Sequence, residues 1–305
     1  MTASHAIILE AGDASVDLAP STGGAVAGFT LAGVDVLRPT SANARAAGNV
    51  LDHAAYPLVP YSNRIANARF EVSGRRHQLD SDPGVHPHSL HGVGWQRRWS
   101  VLARSPTAAT LTFEHHATGA DAHAWPFAFA ARQDFVLEAT NRSATLSMTL
   151  TLANRDAEPF PCGLGWHPFF PRMAATRLRF VARGRWESDA SGLPTERTIP
   201  EPGAFAAGRE LGGAALDHVF FGWSGRAELT QPDTGLRIVV TASERCRHLV
   251  VYAPRDEAFL AVEPVTHVTD AFNRAARGDA DTGMLVLDPG TRIACTMRID
   301  ASLAP

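Results

Sequence analysis

The sequence predicts an all-β protein built as one large antiparallel β-sandwich. Apolar and polar residues alternate with a period of two over residues 145–152 and 110–114, which is typical of strands that bury one face. Helical periodicity is scarce, and Gly, Pro, Asn and Asp separate many short apolar runs. Short strands with turn residues between them favour a sandwich over a fold of alternating strands and helices.

The individual elements follow from the same patterns. In chain order, strands are predicted at residues 7–9, 110–114, 127–130, 145–152, 236–240, 249–252, 259–262, 284–287 and 293–299. One short helix is predicted over 270–277, because Asp270 is typical of a helix N-terminus. The segment 183–215 is rich in Gly, Pro and Ala, which indicates a long surface loop. We find no repeat and no linker, so we expect a single domain over residues 1–305.

The composition excludes several classes of function. The chain has 305 residues and a net charge of −3, which gives no argument for a nucleic-acid or membrane partner. It contains no lysine, which excludes Schiff-base catalysis and the P-loop lysine. Cys162, Cys246 and Cys295 are too widely spaced for a zinc site or a disulfide framework. Without a signal peptide or a membrane-length apolar run, a cytoplasmic location is expected.

Two segments suggest an acid and a base built on strands. His167 follows Gly165 and Trp166 and precedes an aromatic pair, and an imidazole in such surroundings can hold and deliver a proton near neutral pH. Glu263 closes the apolar run 259–262. A carboxylate at the end of a buried strand is costly unless it is paired, hydrogen-bonded or in use.

Other polar residues have a structural and a functional interpretation. Arg64 follows Asn63, and its planar guanidinium is suited either to clamping hydroxyls or a carboxylate or to a structural ion pair. Asp217 precedes an apolar run, so it is either a turn cap or an acceptor for sugar hydroxyls. Four tryptophans are candidates for stacking on a sugar or for the core: Trp95, Trp99, Trp125 and Trp166.

Three histidines, His86, His88 and His91, lie close enough in sequence to suggest a metal site. A metal site needs a further ligand, and no carboxylate follows until Glu114. We therefore predict no metal. His91 is singled out because the following Gly92 lets a ligand approach the backbone closely.

Five motifs, in this order, resemble those of aldose 1-epimerases, or mutarotases: Asn63-Arg64-Ile65, Leu90-His91-Gly92, Gly165-Trp166-His167-Pro168-Phe169-Phe170, Leu216-Asp217-His218-Val219-Phe220, and Glu263-Pro264 with Asp270-Ala271-Phe272-Asn273. The resemblance covers nearly the whole chain. It implies a galactose mutarotase-like β-sandwich fold. It also implies an enzyme that interconverts the α and β anomers of a free sugar without a cofactor.

The resemblance also implies roles for individual residues. Glu263 matches the family's general base and His167 its general acid. The substrate-binding positions match Arg64, His91 and Asp217, with Asn63 beside them, whereas His86 and His88 have no assigned counterpart. The implied partner is a small sugar, with no nucleic acid and no membrane, and the expected state is a monomer or weak homodimer.

Three alternatives remain beside a mutarotase of free aldoses. A hexose-phosphate mutarotase of the same superfamily would need an additional group of arginines at the pocket mouth. A non-catalytic carbohydrate-binding sandwich would need the hydroxyl contacts without the acid–base pair. A metal-dependent β-barrel enzyme would use His86, His88 and His91. A neutral hexose such as galactose or glucose is favoured, because the charge of Asp217 opposes a phosphate and no Gly-rich phosphate cradle is present.

Overall fold

Strands dominate the computed structural model, which describes residues 6–81, 87–199 and 204–304. In the first half of the chain they are β1 (Ile7–Ala11), β2 (Ala14–Ala19), β3 (Ala25–Leu31), β4 (Val34–Asp35), β5 (Ala55–Leu58), β6 (Arg64–Ile65), β7 (Arg69–Val72), β8 (Arg75–Gln78), β9 (Ser89–Leu90), β10 (Ser100–Arg104), β11 (Ala108–His115), β12 (Phe129–Thr140) and β13 (Ser143–Asn154). In the second half they are β14 (Phe160–Cys162), β15 (Gly165–Pro171), β16 (Arg177–Phe180), β17 (Gly184–Ser188), β18 (Pro194–Thr198), β19 (Arg209–Glu210), β20 (Leu216–Phe221), β21 (Arg226–Gln231), β22 (Leu236–Ala242), β23 (His248–Ala253), β24 (Phe259–Val265), β25 (Leu285–Leu287) and β26 (Arg292–Leu303).

Helical segments are short and connect the strands. The α-helices are α1 (Ala42–Ala47), α2 (Asp121–Ala124) and α3 (Ala271–Ala276), and the 3₁₀ turns are Val50–Asp52, Ala66–Ala68 and Gly94–Gln96. The predicted helix over 270–277 is therefore confirmed as α3. No helix within the described residues is both long and apolar enough to cross a membrane.

Two large sheets form the body of the fold. The first has eleven strands in the order β1-β2-β3-β5-β15-β24-β23-β20-β17-β18, with β4 attached to β3. The second has nine strands in the order β10-β11-β12-β13-β26-β22-β21-β16-β19. The strand pairs described by register within both sheets are antiparallel. The predicted all-β, antiparallel sandwich is confirmed.

Alternating burial explains how the second sheet contributes to the core. Along β13, Leu146, Met148 and Leu150 are fully buried, while the threonines and serines between them are half-buried. Met148 pairs with Met297 of β26, which is also fully buried. The period of two therefore places one face of each strand inside the sandwich.

Two predictions of local structure need correction. The proposed loop over 183–215 contains strands β17, β18 and β19; Trp186 is buried there, and its packing outweighs the turn-rich composition of the segment. The strand predicted over 127–130 begins at Phe129, because the Ala128 N–H donates to the side chain of Asp156, 2.9 Å away. The four tryptophans singled out above are all buried, which supports their interpretation as core residues.

Candidate active site

The predicted acid and base lie side by side near the middle of the first sheet. Gly165 pairs with Val265, and Phe169 pairs with Ala261, so this register places His167 of β15 across from Glu263 of β24. Side chains at matching positions of adjacent strands point to the same face. The sheet therefore brings together two residues that are 96 positions apart in the sequence.

The two functional groups are in direct contact. The Nε2 atom of His167 lies 3.3 Å from the Oε1 atom of Glu263. Both side chains are nearly enclosed, with 9% of the His167 side chain and 3% of the Glu263 side chain exposed. At this distance the two groups cannot hold a sugar ring between them, so a substrate must approach both from the same side.

Burial sets the protonation preferences of this pair. It lowers the pKa of His167 to about 3, an effect to which the positive charge of Arg38 adds. It raises the pKa of Glu263 well above its ordinary value; the negative charge of Asp217 raises this pKa further, while Arg64 acts in the opposite direction. Each group is thus stabilised in its neutral form, with the proton on the carboxyl group.

An aromatic wall surrounds the imidazole. Tyr56 pairs with His167 across β5 and β15, and their ring centroids are 4.8 Å apart. Phe169 lies 4.4 Å from the same imidazole ring, as the aromatic residues after His167 led us to expect. The Arg38 guanidinium stacks on Phe169 at 3.9 Å and donates to the backbone oxygen of His53 at 2.8 Å.

The sequence interpretation missed Arg38 and Tyr56. Arg38 stands between Leu37 and Pro39, where nothing distinguishes it from an ordinary turn residue. Tyr56 belongs to a buried strand, β5, and is typical of a core position. Only the pairing of β5 with β15 reveals its contact with His167.

Arg64 and His91 lie at a small separate sheet, β6–β9: Arg64 begins β6, and His91 directly follows β9. The Asn63 N–H donates to Nδ1 of His91 at 3.0 Å, and the His91 N–H donates to the Asn63 backbone oxygen at 2.9 Å. Because Nδ1 accepts, the proton of the neutral imidazole lies on Nε2. The Oδ1 atom of Asn63 also accepts from Arg64 Nη1 at 3.3 Å. Asn63 therefore joins the two predicted substrate-binding side chains.

Asn63 and His91, which are joined by these hydrogen bonds, both adopt left-handed backbone conformations, with φ of 58° at Asn63 and 60° at His91. Such angles are costly for residues other than glycine unless surrounding contacts hold them. The reciprocal hydrogen bonds between the two residues supply those contacts. The His91 ring consequently lies 5.5 Å from the His167 ring.

Asp270 fastens this small sheet to α3. It stands at the N-terminus of the helix, as predicted, but makes no side-chain cap bond to the helix. Its Oδ1 accepts instead from the Ala66 N–H at 3.0 Å and from Asn273 Nδ2 at 2.6 Å, while its own N–H donates to the Arg64 oxygen at 2.8 Å. The motif around Asp270 thus positions the backbone of Arg64.

The turn between β17 and β18 packs on the Arg64 guanidinium. Gly192 has a φ of +79°, and a Cβ at this position would lie 2.9 Å from the Cζ and Nη1 atoms of Arg64. The turn is fixed because Asp189 Oδ1 accepts from the N–H groups of Ser191 and Leu193, at 2.8 and 3.0 Å. A residue larger than glycine would displace the guanidinium.

Asp217, the remaining predicted substrate-binding residue, lies on β20, two strands away from β24 in the first sheet. It pairs with Tyr252, which in turn pairs with Ala261, and it is exposed. Removal of surrounding water raises the pKa of Asp217, while the positive charge of Arg64 lowers it. Asp217 is thus a solvent-accessible carboxylate within electrostatic range of Arg64 and Glu263.

The two described histidines of the predicted cluster, His88 and His91, are bonded to different parts of the backbone. His88 Nδ1 accepts from the Asn67 N–H at 3.0 Å, whereas His91 bonds to Asn63; His86 lies outside the described residues. Over residues 6–81, 87–199 and 204–304, no group of three His, Cys, Asp or Glu side chains is arranged to hold a metal ion.

The chain is similar in sequence and fold to known proteins. The aldose 1-epimerase family model matches residues 5–300. Uncharacterized protein YphB of Escherichia coli strain K12 is 31% identical over 277 residues, which are 88% of this chain and 89% of that protein. The crystal structure of a candidate aldose 1-epimerase from Escherichia coli K12 has a TM-score of 0.86 at 27% identity, over 98% of this chain and 99% of that one. Galactose 1-epimerase from Lactobacillus acidophilus NCFM has the same fold, with a TM-score of 0.77 at 17% identity over 98% and 95% of the two chains.

Proposed function

The chain belongs to the aldose 1-epimerase family, and on that basis we propose that it interconverts the α and β anomers of a free aldose by opening and reclosing the sugar ring. The observation that carries the proposal is the buried contact of 3.3 Å between His167 and Glu263. A carbohydrate-binding protein without catalysis has no need for an enclosed acid–base pair.

Ring opening explains why the two groups should be adjacent. The reaction removes the proton from the O1 hydroxyl and places a proton on the ring oxygen O5, and both oxygens are bonded to the same carbon, C1. A base and an acid in contact can therefore serve O1 and O5 from one side of the sugar. The C1–O5 bond breaks, rotation about C1–C2 exposes the other face, and closure reverses both proton transfers.

The pair needs to hold one proton in total. Burial favours that proton on Glu263 and a neutral His167. For ring opening we propose that Glu263 acts as the base and His167 as the acid, which requires the proton to move to His167 across their contact. Sugar hydroxyls donating to the carboxylate would stabilise its charged form, and Arg64 already acts in that direction.

The remaining residues would bind the sugar. Arg64 donates to hydroxyls and stabilises charge on the ring oxygen. His91 donates through Nε2, because its Nδ1 already accepts from Asn63. Asp217 accepts from hydroxyl groups. Asn63 is proposed to act mainly by positioning Arg64 and His91 through its hydrogen bonds.

We propose a neutral, unphosphorylated hexose such as galactose or glucose as the substrate. A glycoside has no O1 proton, so only a sugar with a free anomeric hydroxyl can open in this way. Arg38 is engaged with Phe169 and with backbone oxygens of Leu51 and His53, and Asp217 would repel a nearby phosphate.

The test is to follow pure α-anomers to equilibrium by polarimetry or NMR, with hexoses beside their 6-phosphates and Glu263→Gln as the control enzyme. We expect acceleration of a neutral hexose that the control lacks. Much faster conversion of the 6-phosphates would contradict the proposal of a neutral substrate and indicate a phosphorylated one. No acceleration of any free aldose would refute the enzymatic function.

A further inference from the structure

A second cavity lies at one end of the sandwich, where β20 and β23 of the first sheet approach β22 and β26 of the second. Its volume is about 1220 Å³. Phe221 and His248 line it and pair with each other across β20 and β23. Asp217 and Tyr252 of the candidate active site lie four residues away on the same two strands, a separation of about 13 Å. The cavity is therefore distinct from the acid–base pair.

Three arginines line this cavity, namely Arg183, Arg245 and Arg247. All three are exposed, and none forms a side-chain hydrogen bond or an ion pair with any described residue. The contrast with neighbouring strands is clear, because Arg226 and Arg237 both pair with Glu228. Unpaired guanidinium groups that line one cavity are suited to an anion, and their planar donors match the oxygens of a phosphate.

The side chain of Arg183 packs against the backbone beside this cavity. Gly222, with a φ of +62°, lies against the side chain of Arg183, so a Cβ there would be 2.7 Å from its Cγ atom. The Arg183 N–H donates to the Phe221 oxygen at 3.0 Å, and its guanidinium lies 5.9 Å from the centre of the Phe221 ring. The stem of Arg183 is thus packed against Gly222, while the residue remains exposed at the cavity.

The rest of the lining is suited to a sugar. Phe221 and Trp223 are the aromatic residues of the lining, and Glu244 and Asp281 are exposed residues whose carboxylates can accept from hydroxyl groups. Three arginines against two carboxylates leave the lining with a net positive charge. The volume exceeds what an isolated ion needs and lies above the usual range for small-molecule sites, about 300–1,000 Å³.

We propose that this cavity binds a phosphorylated saccharide, with the three arginines on the phosphate and the carboxylates on the sugar hydroxyls. The proposal is independent of the reaction at His167 and Glu263. It adds a second ligand site whose charge differs from that of the active site. Asp217 disfavours a phosphate in the active site, whereas Arg183, Arg245 and Arg247 favour a phosphate in this cavity.

The experiment is calorimetric titration with α-glucose 1-phosphate, whose anomeric oxygen carries the phosphate and which therefore cannot be a substrate for ring opening. We expect the wild-type protein to bind it. The triple variant Arg183→Ala, Arg245→Ala, Arg247→Ala should bind at least about tenfold more weakly, since charge-assisted hydrogen bonds are lost.

A matched control separates a site from a general effect of charge. Arg76, Arg104 and Arg142 are also exposed and without side-chain partners among the described residues, so replacing them by alanine changes the net charge equally. This control should bind like the wild type, and both triple variants should retain the circular dichroism spectrum. Equal weakening in the two triple variants, or no binding by the wild type, would overturn the proposal.

Two further arms locate the site and define the ligand. Arg64→Ala should leave the binding of glucose 1-phosphate unchanged, whereas loss of binding in this variant would assign it to the active site and contradict the proposal. Inorganic phosphate should bind at least about tenfold more weakly than glucose 1-phosphate if the saccharide contributes hydrogen bonds. Equal affinity would refute a saccharide site.

Discussion

His167 and Glu263 touch each other in the floor of the candidate active site, with 3.3 Å between Nε2 and Oε1. The contact makes their protonation a property of the pair, because a proton placed on one group changes the affinity of the other. Burial favours a pair that contains one proton. A reaction that takes one proton from O1 and gives one to O5 needs the same number.

Replacing either member of the pair should stop the reaction without unfolding the protein. Glu263→Gln is isosteric and His167→Asn keeps a polar side chain, and each removes a proton-transfer group, so we expect turnover to fall at least about 100-fold. Turnover of α-glucose and α-galactose checks this, with thermal unfolding as the control for folding. Near-normal turnover in either folded variant would remove that residue from the acid–base pair.

The pH dependence of the rate should report the shifted pKa values. Burial lowers the pKa of His167 to about 3, so His167 is not protonated from solution until the pH is that low. The rate should therefore not decrease as the pH is lowered from 6.5 to about 4. The rate should fall at higher pH as the pair loses its proton, at a pH above the ordinary pKa of a glutamate. The measurement is kcat/KM after subtraction of spontaneous mutarotation, and an inflection near pH 6.5 in the acid direction would contradict it.

The strand that carries Glu263 was predictable, whereas its contact with His167 was not. The apolar run 259–262 identifies that strand, but the residues from Gly165 to Phe170 are all buried without alternation, so a period of two does not identify the strand of His167. The contact depends on β15 pairing with β24 across a long sequence separation, and no local pattern specifies that pairing. The sequence did not indicate Arg38 and Tyr56 as site residues for the same reason, since each becomes significant only through its contacts with β15.

Composition is a poor guide where a few buried contacts outweigh it. The segment 183–215 has the residues of a loop, but Trp186 is buried and pairs with Val219 in the first sheet. Arg197 then stacks on Trp186 at 4.6 Å. One large aromatic residue thus stabilises the β17–β18 hairpin that reaches Arg64.

Disturbing the support of Arg64 should weaken catalysis without touching the acid–base pair. Arg64→Ala should lower kcat/KM by about tenfold or more, since charged hydrogen bonds are lost. Gly192→Ala should change kcat/KM in the same direction, because its Cβ would lie 2.9 Å from the Arg64 Cζ atom.

Gly74→Ala is the matched control for Gly192→Ala. Gly74 has a similar φ of +73°, but a Cβ added there would have no neighbouring atom within 4 Å, so both substitutions strain the backbone while only one displaces Arg64. Steady-state kinetics on a free hexose should separate them. Identical kinetics for the two glycine variants would show that the contact with Arg64 is unimportant.

Acid should destabilise the fold in part through His267. Its Nδ1 lies 2.8 Å from the Val268 oxygen, and its Nε2 accepts from the Ser62 N–H at 3.1 Å, so the ring is satisfied only when neutral. Burial lowers the pKa of His267 to about 4. Below pH 6.5 the unfolded chain therefore binds a proton that the folded chain does not, and stability is lost as pH falls towards 4.

The size of this effect follows from the shift. A pKa lowered from 6.5 to about 4 corresponds to about 3 kcal/mol of unfolding free energy lost across that range. Denaturant unfolding at pH 7 and pH 4.5 measures it, and His267→Gln should show a shallower decrease than the wild type. An equal decrease in the two proteins would assign the acid sensitivity to other groups.

Chelation should leave the proposed epimerase activity unchanged. Ring opening requires only proton transfers, which the His167–Glu263 pair can supply. The rate with a neutral hexose should be the same before and after exhaustive dialysis against EDTA. Activity that is lost in EDTA and restored by zinc would show that a metal ion takes part.

The separation of Arg64 and His91 from the large sheets has a consequence for how such a protein can diversify. Arg64 begins β6 and His91 directly follows β9 of the two-stranded β6–β9 unit, which is attached through Asn63, Asp270 and the Gly192 turn. Because Arg64 and His91 are the proposed sugar-binding residues, we expect insertions or exchanges in this unit to change which hydroxyl groups are recognised while leaving the β15–β24 pairing undisturbed. Engineering of sugar preference should therefore begin with the attachments of β6–β9, and libraries confined to that unit should retain a higher fraction of active variants than libraries directed at β15 or β24.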